Sequence, residues 1–226
     1  MKDAPAIAHQ AARQIPPRDH PPAECDGCAQ APPEQASPAS RRGLPEEPLA
    51  DAAAEALAEA VAERALALFE SREMYCAEAV LCALSEGLGG GLERESARGL
   101  AMGFGQGLGK AGCVCGALGG AVMGASFFLA RELSPDEVRG ASKRLHAVFT
   151  GAHGSSCCRV LTRTVRDDPK GHFRQCAVFT RHGALLAARE VLGRMPRLAT
   201  GAGLAAVSRR RSRLGSLLRR LADRLG

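Results

Sequence analysis

Four cysteines of this chain stand where a helix is expected to begin. Cys76 opens an apolar segment, and Cys115 follows a glycine-rich stretch. Cys158 follows Gly154-Ser155-Ser156, and Cys176 falls one turn into the last strongly periodic segment. The first turn of a helix carries unpaired backbone N–H groups and about half a positive charge. Both favour thiolate over thiol, and the thiolate is the nucleophile of thiol–disulfide exchange. One thiolate attacks a partner disulfide or oxidant, and a second cysteine resolves the mixed disulfide. Four such positions point to redox work at Cys76, Cys115, Cys158 and Cys176, beyond packing alone. Cys115 is expected to be the central, thiolate-rich member, and Arg159 adds positive charge beside Cys158. The pairing stays open.

The same four side chains could instead hold an iron–sulfur cluster or Zn²⁺. Cysteines spread over four helices suit that alternative less well than a compact C-x-x-C run. Exchange itself requires no cofactor. Of the remaining thiols, Cys82 lies about 240° around the helix from Cys76 and reads as packing. Cys113 precedes Cys115 by two residues and is a candidate resolving thiol. Cys157 adjoins Cys158. Cys25-Asp26-Gly27-Cys28 is a C-x-x-C pair in a proline-rich leader, with no thioredoxin-like context and no following His. His172 stands four residues before Cys176, and His146 and His153 share a stripe. Each could serve a thiolate as base or a metal as ligand, or be a partly exposed helix histidine. No H-E-x-x-H, phosphate loop or dinucleotide fingerprint occurs. GFGQGLG contains G-x-G-x-G, but no strand precedes it.

The elements that must position these residues read as helices. Leu and Ala dominate, Trp is absent and Tyr75 is the single Tyr. Residues 1–48 hold ten prolines and few large apolar side chains, so they read as a disordered leader. A helix is expected from Asp51, its cap, with Leu57, Val61, Ala65, Leu68 and Phe69 on one face. Cys76–Leu88 reads as a second, ended by Gly89-Gly90-Gly91, and Leu92–Met102 as a third. GFGQGLGKAG then forms a loop. Cys113 to about Glu132 is the central helix, with Gly116, Gly120 and Gly124 as an i, i+4 seam. A neighbouring helix can approach that seam closely, bringing a second sulfur within disulfide range. Ser134-Pro135-Asp136-Glu137 is a capping box with Pro in first position, and its helix runs to about Ala152. A short helix starts near Ser155–Ser156, and the last domain helix spans Phe173 to about Arg194.

The expected architecture is therefore an all-α compact bundle of about six helices over residues 49–195. Residues 196–226 read as a basic amphipathic helical tail. From Arg194 onwards nine Arg face one acid, Asp223, so this end carries +8 of a net +6. Basicity belongs to the tail, and specific nucleic-acid binding is a poor inference from it. The tail could dock on an anionic membrane surface or an acidic protein, or pack on its own domain. Residues 111–130 are uncharged over a bilayer-like length. Their glycine content favours a buried core helix over a span. Nine cysteines could indicate a secreted disulfide scaffold. The opening MKDAPAIAHQ lacks an apolar run, so a reducing, cytoplasmic setting is expected.

At this level the chain resembles the redox-active family named for its C…GCAxxG…C…C cysteine pattern. The resemblance rests on Tyr75-Cys76-Ala77-Glu78-Ala79-Val80, on Cys115-Gly116-Ala117-Leu118-Gly119-Gly120, on Gly154-Ser155-Ser156-Cys157-Cys158-Arg159-Val160-Leu161, and on Cys176. It covers about residues 60–192. It implies a small bacterial redox-active protein whose site residues are Cys76, Cys115, Cys158 and Cys176, a candidate thiol–disulfide oxidoreductase. Cys158 is preferred to Cys157 because Cys158-Arg159-Val160-Leu161 matches the family's C-R-x-L run. Its partner would be a redox protein or a small oxidant. Cys82, Cys113, Cys157, the leader pair and both tails depart from the pattern.

Overall fold

The computed structural model describes residues 48–207. The expected leader, with Cys25 and Cys28, and the tail beyond Val207 lie outside the described residues. Among the described residues eight named helical segments follow one another, α4 being an irregular turn, and there is no named strand. They are α1 (Ala52–Glu70), α2 (Cys76–Leu88), α3 (Arg94–Met102), α4 (Gly105–Leu108), α5 (Gly116–Leu129), α6 (Pro135–His153), α7 (Cys158–Leu161) and α8 (Pro169–Arg194). Six of them have nine residues or more, which is the expected all-α bundle.

Local chemistry explains the boundaries. The Asp51 carboxylate accepts from the Ala53 and Ala54 N–H groups at the start of α1. Ser134 and Glu137 form the expected capping box of α6. Gly89 (φ 66°) ends α2 and Gly154 (φ 78°) ends α6, each in the left-handed conformation that favours glycine.

Helices α1, α2, α5 and α8 make the core: α8 packs on α1, α5 and α2, and α2 lies against both α1 and α5. Ion pairs tie its edges. Arg189 of α8 reaches Glu55 of α1, and Arg144 of α6 reaches the buried Glu190 of α8. The helical residues 201–207 also rest on this core, Val207 being buried.

The glycine seam has its partner in α2. A Cβ at Gly120 would stand 2.6 Å from the Ala77 carbonyl oxygen and 3.0 Å from the Ala77 Cα. Across α5, a Cβ at Gly183 of α8 would stand 2.8 Å from the Ala117 carbonyl. α5 is thus held between two backbones, which only missing side chains allow. It has 14 residues, about 21 Å at 1.5 Å each. Among the described residues no helix is long and apolar enough to cross a membrane.

Four boundaries differ from expectation, one being α7, which begins at Cys158 and not near Ser155–Ser156. α8 begins at Pro169 and not at Phe173, because Asp168 accepts from the Lys170 N–H (3.0 Å) and Pro169 takes the first helical position. The segment expected to be a loop is therefore a helix start, and Cys176 lies two turns inside α8. α5 begins at Gly116, later than the expected Cys113, because residues before it pair with a distant segment. α3 begins at Arg94, after the expected Leu92.

Close approach at Gly120 is testable. Gly120→Ala should destabilise the fold by about 1–3 kcal/mol through overpacking against backbone that cannot yield. Gly99→Ala, in α3 with nothing within 4 Å of the added carbon, should be neutral or stabilising by up to about 1 kcal/mol. Urea denaturation of both variants checks this. Equal stability of the two would show that the α2–α5 approach does not need Gly120.

Candidate functional site

Two segments far apart in sequence build the floor of the site. Val114 and Cys157 form an isolated antiparallel bridge. Around it the Cys115 N–H donates to the Ser156 carbonyl (2.8 Å), Cys158 N–H to Cys113 (2.6 Å) and Arg159 N–H to Gly112 (2.9 Å). The Arg159 guanidinium donates to the Ala111 carbonyl (2.8 Å). This clamp sets Cys115 beside Cys158. It also accounts for the extended backbone at Cys115 before α5.

Cys76 arrives from α2. A Cβ at Gly116 would lie 2.5 Å from the Cys76 Sγ and 2.7 Å from the Phe104 carbonyl. Gly116 therefore leaves the space the Cys76 sulfur occupies. Cys176 arrives from α8. All four cysteines line one cavity of about 720 Å³, walled by Phe69, Met74, Leu161, Phe173 and Phe179 among others. Phe69 and Phe173 stack at 4.9 Å between centroids. Its carboxylates, Glu73 and Glu78, pair with Arg94 (2.6 Å) and Arg98 (3.0 Å). His172 lines the cavity with Cys176, as their spacing suggested.

One wall is unusual backbone. Gln106, Gly107, Leu108, Gly109 and Lys110 all have positive φ, between 55° and 75°. The segment read as a plain loop is thus a short left-handed turn. Three of these residues carry a Cβ, which costs about 1–2 kcal/mol each in that conformation. It brings the Gln106 backbone N–H towards Cys76, where with that of Ala77 it works to lower the thiol against the burial that raises it. Gly107 is required on a second count. A Cβ there would stand 2.5 Å from Cys158 Cβ and 3.1 Å from Cys158 Sγ.

The electrostatics correct the expectation of a thiolate-rich Cys115. Three of the four cysteines do stand at helix starts: Cys76 opens α2, Cys115 is the N-cap residue of α5 and Cys158 opens α7. Cys176 does not. The Cys115 side chain makes no capping hydrogen bond, and the nearby Leu118 and Ala117 amides only moderate its thiol downward. Yet burial, reinforced by the Cys76 sulfur, pushes the Cys115 thiol up to about 12. Burial and the Cys176 charge push Cys76 up to about 12, and burial with Cys115 and Cys158 does the same to Cys176. Cys158 is raised by burial and by Cys157. Desolvation of a charged sulfur outweighs a few aligned amides.

The remaining residues fall outside the cavity. Cys82 is buried in the core, its thiol near the Arg94 carbonyl (3.7 Å), and is a packing residue as expected. Cys113 serves the clamp through its carbonyl. The Cys157 thiol donates to the Gly112 carbonyl (3.3 Å). His146 meets Ser156 Oγ (3.1 Å), while His153 meets His182 (2.7 Å) among Phe149 and Phe179. Burial, then His153, lowers His182 to about 4. Sequence reasoning missed the Gln106 amide, and its signal was three glycines at alternate positions from Gly105. Among the described residues no group of three or more His, Cys, Asp or Glu is spaced to hold a metal ion. All seven described cysteines are free thiols.

No match was found among curated proteins or among solved structures. Residues 74–190 match the model of the family described as "Putative redox-active protein (C_GCAxxG_C_C)". The match begins two residues before Cys76 and ends beyond Cys176, so it contains the clamp, the glycine seam and all four cavity cysteines. It spans more than half of the 226 residues, and the chain belongs to the C_GCAxxG_C_C family.

Proposed function

We propose that this protein is a thiol–disulfide oxidoreductase whose working groups are Cys76, Cys115, Cys158 and Cys176. The observation that carries the reading is that these four sulfurs, from four separate elements, line one cavity. Simple packing would not require a hollow there, and a buried cysteine pair in the core, such as Cys82 with a neighbour, would leave none.

Exchange needs one thiol that ionises before the others. Cys158 is that thiol. It is half-buried, whereas burial first, then neighbouring cysteines with Cys158 the least of them, pushes Cys76, Cys115 and Cys176 up to about 12. A thiol near 12 is ionised only to roughly one part in 10⁵ at pH 7. Cys158 loses its proton and attacks one sulfur of a disulfide. The new bond joins Cys158 to that sulfur, the old S–S bond breaks, and the leaving thiolate takes a proton. A second cysteine, Cys76, Cys115 or Cys176, then attacks the Cys158 sulfur and expels the other half as a thiol. Two protein thiols are oxidised and one disulfide is reduced. The resolving thiols stay protonated mainly through burial, and forming the mixed disulfide removes the smaller opposing contribution of the Cys158 charge.

Cys158→Ser should slow reduction of 2-hydroxyethyl disulfide by about 10²-fold or more. Replacing the resolving cysteine should instead trap a mixed disulfide on Cys158, visible as added mass. A Cys158→Ser protein with wild-type exchange rates would end the assignment.

The ionisation order gives a second test. Among the four cavity cysteines, alkylation followed site by site should label Cys158 first, with Cys76, Cys115 and Cys176 labelled only towards pH 12. If Cys115 titrates near the free-cysteine value of about 8.5, burial does not control it. The sign also fixes stability. Thiols whose folded pKa is raised stabilise the fold fully below the unfolded value and lose that contribution as pH climbs to the folded one. Reduced protein should therefore weaken between about pH 8.5 and 12, and Cys115→Ser should flatten that slope.

A further inference from the structure

We infer that the cavity takes a small disulfide carrying carboxylates, held by Arg72 and Lys110 at its rim. This rests on the thiol-exchange reading and names its substrate class. The four sulfurs line the hollow, Cys115 only 5% exposed and Cys76, Cys158 and Cys176 partly exposed. A disulfide on a folded protein surface would have to enter about 720 Å³ of cavity, which is the size of a small-molecule site. A small molecule meets no such obstacle.

Charge selects among small molecules. Two carboxylates line the cavity, and both are neutralised from nearby helices, Glu73 by Arg94 and Glu78 by Arg98. Arg98 is consumed by that pairing. Arg72 and Lys110 line the same cavity, are exposed, and meet no carboxylate among the described residues. Arg72 lies over the Phe173 ring, 4.9 Å from its centroid, which fixes the guanidinium beside the apolar wall. Both cations also sit at positive φ, 61° and 72°. Glycine would be cheaper at each by about 1–2 kcal/mol, so the side chains have a use that offsets strain. The surplus is two positive charges over an apolar hollow containing thiols. A molecule with carboxylates at its ends and an S–S bond between them matches that layout. Two cysteine thiols and the substrate disulfide give one protein disulfide and two carboxylated thiols.

The full chain can be tested with three disulfides of similar size. Dithiodipropionate is dianionic, 2-hydroxyethyl disulfide neutral and cystamine dicationic. Rates of protein thiol loss are divided by the rates with free 2-mercaptoethanol, which removes intrinsic reactivity. The dianion should lead the neutral probe by about tenfold, with cystamine last, and the spread should shrink with salt. Arg72→Gln with Lys110→Gln should abolish the order. Arg72→Lys with Lys110→Arg should keep it, and circular dichroism checks that both fold. Charge-independent rates in the wild type, or an unchanged order in the glutamine variant, would overturn the anion assignment alone. If no probe oxidises the cysteines, the exchange reading itself falls, and this inference with it.

Discussion

The approach of α2 to α5 is the contact on which the site depends. Gly116 and Gly120 stand one turn apart on α5 and face the first turn of α2, at Cys76 and Ala77. At Gly120 the neighbour is backbone, so no side chain can move aside. At Gly116 the neighbours are a sulfur and the Phe104 carbonyl. One glycine thus sets the distance between the helices, and the other receives the thiol that this distance delivers. The C-G-A-x-x-G run is a packing device whose spacing is the helical repeat. Its chemistry comes from Cys115, which stands at the N-cap position of the helix the glycines belong to.

The chain spends helix N-termini in two ways. α1, α6 and α8 are capped by oxygens of Asp51, Ser134 and Asp168, the ordinary satisfaction of orphan amides. At the starts of α5 and α2 no side chain caps the helix, and the amides near Cys115 and Cys76 act on those sulfurs only by favouring their charged form. A sulfur is a weaker acceptor than oxygen while it is a thiol and a better one once ionised. The amides therefore give little to the resting state and more to a charged one. Burial pushes the other way and wins at rest. The outcome is a set of thiols whose charge is deferred to the moment a reaction needs it, with half-buried Cys158 as the exception.

Much of this was legible in the sequence, for identifiable reasons. Asp51 and the Ser134–Glu137 box are local signals, and the helices they start lie where expected. The four cysteines were found by spacing and glycine context, and all four reach the cavity. The failures share a cause, which is dependence on distant chain. The Val114–Cys157 bridge joins segments over forty residues apart, so nothing near Cys113 announced that α5 would start late. Desolvation of Cys115 comes from α2 and the surrounding helices, and the N-terminal turn visible in sequence argued for the opposite shift. The start of α8, four residues earlier than expected, is different. Asp168-Pro169 was a local signal, hidden by its likeness to a turn when Gly171 follows two residues on.

The left-handed turn at Gln106–Lys110 is the place where local preference is most plainly overruled. A chain free to relax would put glycine at every position of such a turn, yet it alternates glycine with Gln106, Leu108 and Lys110. The glycines answer to neighbours: Gly107 to the Cys158 side chain, and Gly112, at φ 71°, to Arg159. The residues bearing side chains sit where the turn faces solvent and the cavity rim. Strain of this kind persists only when surrounding contacts over-determine it. Here those contacts are the Cys113 N–H bonded to the Gly107 carbonyl (3.1 Å) and the clamp from Cys158 and Arg159. The same hydrogen bonds that seat Cys158 next to Cys115 thus hold the turn that hands the Gln106 amide to Cys76. Three cysteines are positioned by one connected set of backbone bonds, and the fourth, Cys176, is added by the rigid length of α8.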